Sequence, residues 1–285
     1  MHTGIPFVLY PHQVEGVEFL RRHGRAILAD DMGLGKTRQA IVVLRGTSPT
    51  GPRLVICPAS LKLNREREIR MVEPAAAVEV LGTKNHGLPE GVAPGWVVVN
   101  CDLLARNSAR LAALASSGVI VDEAHFIKNA SQRTTQILRI IGTTGDTSKR
   151  HVPTHVYLLT GTPMPSRPRD LFNLLRAAGH PAARSFLSFA RRYCGAYRND
   201  IGLVIPRRKS ARSNMDTYSQ IPTLLLLADR ERTCQDGHDL RGGNGSGALR
   251  EPSIGHVLVA SAGLCGFFSG FQAICNGDRY TSGRE

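Results

Sequence analysis

The stretch Ala29-Asp-Asp-Met-Gly-Leu-Gly-Lys-Thr37 lies between a short apolar run and a segment with helical spacing. Its two glycines allow the backbone to turn so that N–H groups point at phosphate oxygens, and the helix N-terminus that follows adds a positive dipole. In such a loop Lys36 reaches the β- and γ-phosphates of a nucleotide, and Thr37 offers its hydroxyl to Mg²⁺. The strict pattern has Gly at position 30, where this chain has Asp30. We therefore predict a phosphate-binding loop, with a chance Gly-Lys-Thr sequence as the alternative.

A second motif, Val119-Ile-Val-Asp-Glu-Ala-His125, is an apolar strand candidate that ends in two acids, and Asp122 lies 86 residues after Lys36. Asp122 at a strand end can hold the shell of a Mg²⁺ ion. Glu123 can orient and deprotonate an attacking water. Acids at a strand exit are often only solvated or capping groups, but a phosphate loop followed by this strand predicts ATP hydrolysis.

The first 180 residues alternate apolar runs with helical patterns. The runs are short and rich in β-branched residues, which is typical of buried parallel strands. The alternation predicts a doubly wound, mainly parallel α/β sheet, in which ligands bind at the carboxyl ends of the strands. The predicted strands are Arg25–Ala29, Arg53–Cys57, Trp96–Asn100, Gly118–Asp122 and His155–Leu159. The predicted helices are Pro11–His23, Lys36–Leu44, Ser60–Met71, Asp102–Ala115, Ser131–Ile141 and Pro168–Ala178.

Four further stretches resemble, in order, the motifs of a family of nucleic-acid motors. Leu9–Val17 resembles a leader in which a Gln reads adenine, and Leu159–Pro163 resembles the motif that couples hydrolysis to DNA. Cys57–Leu61 and Asn100–Leu104 resemble strand-end motifs that touch the DNA backbone. Together with the phosphate loop and the Asp-Glu-Ala-His box, the series resembles the first RecA-like lobe (a P-loop NTPase fold) of the Swi/Snf class of superfamily-two helicase-like ATPases.

The resemblance covers about residues 5–200. Within it, Ser166–Phe172 and Phe186–Cys194 are similar to the annealing-helicase (HARP-like) branch. One departure is Asn64-Arg65, where the family is expected to have Trp after the Asn, which puts the packing of that helix in doubt but not ATP binding. The resemblance implies the ATP-binding and hydrolysing lobe of a DNA-dependent DNA translocase, with ATP and Mg²⁺ as cofactors and double-stranded or branched DNA as partner.

The resemblance also implies roles for individual residues. The catalytic residues would be Lys36, Asp122 and Glu123, with Thr37 and Asp122 holding Mg²⁺. The nucleotide would be bound by Gln13, Asp31, Met32, Gly33, Leu34, Gly35, Lys36 and Thr37. Hydrolysis would be coupled to DNA through His125, Thr160, Gly161 and Thr162, and DNA would be contacted by Pro58, Ala59, Ser60, Asn100 and Asp102. Ser60 has an equally plain alternative as a helix N-cap, and His125 is expected to hydrogen-bond toward the coupling motif.

We expect three regions: a RecA-like lobe at residues 1–180, its helical extension at 181–205, and an irregular tail at 206–285. Nothing in the tail resembles the second RecA-like lobe that such motors need, so that lobe would be required in trans or missing. We interpret the tail as disordered or out of frame, the product of a truncated or frameshifted gene. A one-lobe protein with an unrelated tail is the competing interpretation, and a non-catalytic ATP/DNA-binding fragment is the alternative function.

The net charge of the 285-residue chain is +13, of which +11 belongs to residues 1–205. This excess suits a polyanion such as nucleic acid, although a GC-rich coding sequence would also favour the 30 Arg over the 6 Lys. None of the six Cys forms a C-x-x-C pair, which indicates a reducing, intracellular compartment: cytoplasm or nucleoid in a prokaryote or phage, the nucleus in a eukaryote. Pro252–Asn276 carries no charge, but its glycines and polar residues argue against a membrane span.

Overall fold

A computed structural model of the chain describes residues 8–82, 93–144, 151–164, 166–199 and 202–205, and the backbone of two further strands at 224–228 and 256–261. The helices are α1 (Pro11–Arg22), α2 (Lys36–Thr47), α3 (Lys62–Val72), α4 (Ser108–Ala113), α5 (Gln132–Ile140), α6 (Phe172–Ala177) and α7 (Phe186–Tyr193). The strands are β1 (Arg25–Leu28), β2 (Arg53–Cys57), β3 (Val78–Val80), β4 (Trp96–Asn100), β5 (Gly118–Val121), β6 (His155–Leu159), β7 (Tyr197–Asn199), β8 (Gly202–Val204), β9 (Leu224–Ala228) and β10 (His256–Ser261).

The main sheet has the strand order β3-β4-β2-β5-β6-β1-β10-β9. Its first six strands are parallel, while β10 pairs antiparallel with β1 and β9 pairs antiparallel with β10. The predicted doubly wound, mainly parallel sheet is confirmed. The expectation of an irregular tail is wrong for β9 and β10, whose pairing with each other and with β1 joins segments that are far apart in the chain. The rest of residues 206–285 lies outside the described part of the chain.

The sheet is covered on both faces because its strands are apolar on both sides. In β2, for example, Leu54 and Ile56 face one core cluster, whereas Val55 and Cys57 face the other. Helices α5, α6 and α7 cover the first cluster, and α2 with parts of α1 and α3 covers the second. Continuous apolar strands of this kind are the mark of a parallel sheet between helical layers. In such a sheet ligands bind where the parallel strands end, so the carboxyl edge of these strands is the candidate functional edge.

Two parts of the predicted secondary structure need correction. The helix expected at 102–115 is only α4, because Asn107 donates its side-chain amide to Leu103 O at 2.9 Å and a 3₁₀ turn precedes it. Strand β3 was missed because it is only three residues long with Glu79 at its centre. Glu79 is tolerated in the sheet because Arg110 donates to its carboxylate at 2.6 Å.

The predicted helical extension at 181–205 contains α7 and the β7–β8 hairpin. Helix α7 packs against α6: the rings of Phe172 and Phe186 meet edge to face at 5.0 Å, and Phe189 is buried beside them. The boundary between lobe and extension stays a prediction. Among the described residues, none of the helices has the length and hydropathy to cross a bilayer, and most of Pro252–Asn276 is not described.

A buried ion cluster ties the start of β2 to the end of α3. Arg53, only 3% exposed, donates to both carboxylate oxygens of Glu73, at 3.1 and 3.3 Å, and lies over the ring of Trp96. Trp96 Nε1 donates to the same carboxylate at 2.9 Å. Glu73 therefore accepts from the terminal nitrogens of Arg53, whose Nε donates to Gly95 O at 3.3 Å, and from the indole of Trp96.

Replacing Glu73 with Gln should destabilise the fold by about 2 kcal/mol, because a neutral amide leaves the guanidinium of Arg53 without its counter-charge. The measurement is the free energy of unfolding in urea. Glu18→Gln is the matched control: its exposed pairs with Arg21 and Arg22 should be worth no more than about 0.5 kcal/mol. Equal losses for the two variants would contradict the role assigned to Glu73.

Candidate functional site

Five of the motifs singled out in the sequence meet at one edge of the sheet. Strands β1, β2, β4, β5 and β6 run parallel, so their carboxyl ends lie on the same side. The residues that directly follow these strands are Ala29 (with Asp30 after it), Pro58, Cys101, Asp122 and Thr160. The edge has the position at which ligands bind in open α/β sheets.

The phosphate loop turns through two glycines in the left-handed region. Gly33 has φ 88° and Gly35 has φ 73°, values that favour glycine over any other residue. A Cβ added at Gly33 would meet nothing within 4 Å, so backbone conformation alone requires glycine there. A Cβ at Gly35 would come within 2.4 Å of Gln13 Nε2, so this position also needs the space.

Lys36 begins α2 and folds back over the loop. Its Nζ donates to Asp30 O at 2.7 Å and to Asp31 O at 2.9 Å. Burial lowers the pKa of Lys36, and the carboxylates of Asp30, Glu123 and Asp122 act in the opposite direction. Lys36 thus lies within electrostatic reach of the acids at the end of β5, although 86 residues separate Lys36 and Asp122 in the chain.

Two amide side chains, those of Gln13 and Gln39, hydrogen-bond to the backbone of the phosphate loop. Gln13 donates from Nε2 to Leu34 O at 3.3 Å and accepts from Tyr10 N, so the residue predicted to read adenine contacts the loop backbone here. Gln39, fully buried, donates to Leu34 O at 3.1 Å and to Asp30 Oδ2 at 3.4 Å. This explains why an acid at position 30 is compatible with the loop.

Sequence reasoning missed Gln39. Its signal is an amide on α2 next to the apolar run Ala40–Leu44, at a position that the structure buries. Space for it comes from α1, because a Cβ on Gly16 would lie 1.8 Å from Gln39 Oε1. A buried amide that bonds the loop restrains its conformation.

At the end of β5 the two predicted acids differ in environment. Asp122 is buried, accepts from Glu123 N at 3.1 Å through Oδ1, and accepts a charge-assisted bond from Arg65 Nε through Oδ2. Glu123 is half-buried and has φ 51° and ψ 47°, a left-handed conformation that is uncommon outside glycine. Such strain is concentrated at functional sites, where it aims a side chain.

The contacts that the structure describes for His125 are with its neighbours Glu123 and Phe126. Its Nδ1 is 3.1 Å from Glu123 Oε2, but the angle does not make a hydrogen bond. The imidazole also packs on Phe126, with ring centroids 4.3 Å apart. The expected hydrogen bond from His125 toward Thr160–Thr162 is therefore not among the contacts that the structure describes.

The coupling motif closes the other side of the loop. Thr160 is buried, donates from N to Leu28 O at 3.1 Å and accepts from Thr162 N at 3.1 Å through its hydroxyl. A Cβ on Gly161 would meet Met32 Cγ at 3.0 Å. The coupling motif and the phosphate loop are in contact, so a movement of one would displace the other.

The candidate DNA contacts are divided between exposed and buried positions. Ala59 and Ser60 are exposed in a 3₁₀ turn after β2, with Pro58 before them. The alternative role of Ser60 as an N-cap is wrong, because α3 starts after Leu61 with no side-chain cap. Asn100 is buried and its Oδ1 has no hydrogen-bond partner in the described structure, whereas Asp102 pairs with Arg133 at 2.7 Å. The site therefore has an unused acceptor at the end of β4.

The residues present fit a magnesium-bound nucleotide. Thr37, in the first turn of α2, and Asp122 supply the hard oxygen donors that Mg²⁺ prefers, and nucleotide phosphates complete such a shell. The open space at Gly33 and the positively charged Lys36 suit phosphate oxygens. Among the described residues, the bond from Arg65 to Asp122 works against the metal.

A family model described as the SNF2-related domain matches residues 12–216. The chain belongs to the SNF2-related family. Among the residues in this match are the phosphate loop, Asp122, Glu123 and Thr160. The membership therefore rests on the same part of the SNF2-related chain that forms the site.

Curated relatives of this SNF2-related chain support the predicted class. The SWI/SNF-related matrix-associated actin-dependent regulator of chromatin subfamily A-like protein 1 homolog of Caenorhabditis elegans is 35% identical over 196 residues, which cover 65% of this chain and 26% of that protein. The DNA annealing helicase and endonuclease ZRANB3 of Bos taurus is 34% identical over 226 residues, covering 77% and 20%. The predicted Swi/Snf class and the similarity to annealing helicases are confirmed. The chain spans between a fifth and about a quarter of these relatives.

A solved structure supports the fold. The SWI2/SNF2 ATPase core of Sulfolobus solfataricus in complex with dsDNA superposes with a TM-score of 0.55 and 26% identity, covering 66% of this chain and 39% of that one. The RecA-like fold predicted from the resemblance is thereby confirmed for the SNF2-related chain.

Proposed function

We propose that this chain binds Mg·ATP and hydrolyses it as the first RecA-like lobe of a DNA-dependent ATPase of the Swi/Snf type. The observation that carries the proposal is that Lys36 of the phosphate loop, after β1, and the pair Asp122 and Glu123, after β5, lie at the carboxyl edge of one parallel sheet, in which β1 and β5 both pair with β6. A cation for phosphates, a carboxylate for the metal and a strained carboxylate for water are the parts that phosphoryl transfer needs.

The chain's residues would divide the work as follows. Lys36 exchanges its two backbone carbonyl partners for phosphate oxygens, so the loop is already shaped for an anion before one arrives. Mg²⁺, held by Thr37 and Asp122, would neutralise charge on the phosphates. Glu123 Oε2 orients a water and accepts its proton, with His125 beside it to restrict the carboxylate rotamer.

DNA is the proposed second ligand of the lobe. Support comes from the net charge of +11 over residues 1–205, from the similarity to the Sulfolobus solfataricus ATPase core in complex with dsDNA, and from the similarity to the DNA annealing helicase and endonuclease ZRANB3. We place DNA along Pro58–Ser60 and Asn100–Asp102, where backbone N–H groups and small polar side chains would contact phosphates without reading bases. Double-stranded or branched DNA is the substrate class, and a DNA-containing compartment is the proposed location.

Hydrolysis by this 285-residue chain alone is proposed to be slow. An arginine finger is worth roughly 10³–10⁵ in rate, and the family's motors take it from a second lobe that no motif at 206–285 resembles. Fast hydrolysis would therefore need a second lobe in addition to these 285 residues. The competing proposal is a non-catalytic ATP/DNA-binding fragment, and the intact Lys36, Asp122 and Glu123 favour retained chemistry over it.

The test is a single-turnover assay with the protein in excess over radiolabelled ATP and Mg²⁺, with and without duplex DNA. We expect nucleotide binding, one slow round of phosphate release, and a steady-state rate too low for a motor. Binding without phosphate release would favour the non-catalytic fragment. Brisk DNA-stimulated turnover by the chain alone would contradict the requirement for a second lobe, and failure to bind ATP would overturn the proposal.

A further inference from the structure

Arg65 on α3 contacts the carboxylate that is proposed to hold the metal. Its Nε donates to Asp122 Oδ2, and the two side chains are 15% and 5% exposed. The other carboxylate oxygen accepts from Glu123 N at 3.1 Å. Both oxygens of Asp122 are thus engaged, one of them by a full positive charge.

The position of Arg65 follows from the topology. Strands β2 and β5 are neighbours, and Asp122 N donates to Ile56 O at 2.8 Å across them. Helix α3 starts five residues after β2 ends, so its first turn lies over the end of β5. An Arg at the fourth position of α3 is long enough to reach the carboxylate from the side of the site formed by β2.

The pair is a local charge balance. Cys57 lies beside it, and burial raises the pKa of its thiol to about 12, so Cys57 stays neutral and supplies no counter-charge. Among the described residues, Arg65 forms its ion pair with Asp122. In a shielded site, separating such a pair without a substitute leaves an uncompensated charge, which is strongly unfavourable.

We propose that Arg65 is a resident counter-ion that competes with Mg²⁺ for Asp122, so that the metal enters the site only by displacing the guanidinium. The inference rests on the proposed Mg·nucleotide function of this edge. The guanidinium already bonds Asp122 Oδ2, and a metal held by the same carboxylate would lie close to it, where the two positive charges repel each other. The charge of the site is therefore balanced without metal, and a higher metal concentration is needed to fill it. The Trp expected at this position from the family resemblance carries no charge and would not compete.

The experiment measures the metal directly, by the paramagnetic resonance signal of free Mn²⁺ titrated with protein, both without nucleotide and with a non-hydrolysable ATP analogue. Arg65→Gln should lower the half-saturating Mn²⁺ concentration by about tenfold or more, a size typical of groups that contact metal ligands. Arg65→Lys, which keeps the charge, should stay closer to the original chain. Arg67→Gln, the same change on an exposed arginine of α3, should leave the midpoint within about twofold.

The double variant Arg65→Gln/Asp122→Asn links the effect to the pair. If Arg65 acts through Asp122, removing the carboxylate abolishes the gain in Mn²⁺ affinity. Thermal unfolding gives a second readout: Arg65→Gln should lose stability without metal and recover it with Mn²⁺, since the ion replaces the lost counter-charge. An unchanged or raised Mn²⁺ midpoint for Arg65→Gln, or a gain that survives Asp122→Asn, would overturn the proposal.

The failure of this inference can be told apart from failure of the proposed function. Binding of a fluorescent ATP analogue in EDTA reports on the phosphate loop without metal, so its absence would count against the nucleotide site alone. A tenfold difference in the nucleotide-free Mn²⁺ titration would still support the competition. Normal nucleotide binding with no difference between Arg65→Gln and Arg67→Gln would reject the competition and leave the nucleotide site intact.

Discussion

Lys36→Ala is expected to weaken ATP binding by about a hundredfold, which corresponds to the loss of roughly 3 kcal/mol of charge-assisted hydrogen bonding. In the structure the ammonium is already directed into the loop, where it bonds the carbonyls of Asp30 and Asp31. A bound nucleotide would replace these neutral acceptors with charged phosphate oxygens, so the side chain contributes more to the complex than to the free protein. The measurement is the dissociation constant of a fluorescent ATP analogue.

The control for this change is Lys62→Ala. Lys62 also donates from Nζ to a backbone carbonyl, Leu81 O, at 2.8 Å, but it lies on α3 rather than in the phosphate loop. Lys62→Ala removes the same charge and the same kind of bond as Lys36→Ala, but the affinity for ATP should change by no more than about twofold. Far-ultraviolet circular dichroism of both variants checks that the fold is kept. Equal losses of affinity for Lys36→Ala and Lys62→Ala would mean that general positive charge, not the loop, binds ATP.

The part of the fold that the sequence predicts well is the part with local signals. Apolar runs such as Arg53–Cys57 and Trp96–Asn100 have their observed bounds, because burial on both faces leaves continuous β-branched sequence. The helices were predicted less accurately, since 3₁₀ turns take the first residues of three of them, at Ala59–Leu61, Cys101–Leu103 and Pro168–Leu171. The addition of β9 and β10 to the edge of β1 depends on contacts between distant segments and has no local signal.

The candidate site divides in the same way. The order of motifs predicts which residues gather at the carboxyl edge, because parallel strands bring their ends together. It does not predict what each side chain contacts. Gln13 bonds Leu34 O, and Arg65 reaches Asp122 across β2 and β5. In the sequence, Arg65 is noticeable only because it departs from the pattern of the family that the chain resembles. Its ion pair with Asp122 can be recognised only in the structure, where α3 lies over the end of β5.

The charges at this edge are arranged as two neighbouring pairs of opposite sign. Lys36 lies near the acids of the phosphate loop and β5, and Arg65 bonds Asp122. Adding a nucleotide brings several negative charges to the side of Lys36, and adding a metal brings positive charge to the side of Arg65. Either ligand alone unbalances the edge, whereas both together restore the balance. Nucleotide and metal should therefore enter this site cooperatively.

Glu123→Gln is expected to lower the single-turnover rate of ATP hydrolysis by roughly 10²–10⁴, the range for loss of a positioned general base. Glu123 follows the end of β5 in a left-handed backbone conformation, its carboxylate is half-buried, and Nδ1 of His125 lies 3.1 Å from Oε2. Gln keeps the size of the side chain and one acceptor oxygen but cannot take a proton from water. ATP binding should be unchanged or slightly tighter, because a negative charge near the phosphates is removed.

The rate of ATP hydrolysis and the affinity for ATP must be measured on the same preparation, because Glu123→Gln is expected to lower the rate without weakening binding. Quenched-flow or manual quench assays give phosphate release from prebound ATP, and the fluorescent analogue gives the dissociation constant. Glu18→Gln, an exposed neutralisation on α1, is the matched control and should change neither. A Glu123→Gln variant that binds ATP and releases phosphate at the original rate would contradict the role of Glu123 as base. The proton would then have to go to another acceptor, for which the nearest candidate along the chain is His125, and His125→Gln would become the deciding variant.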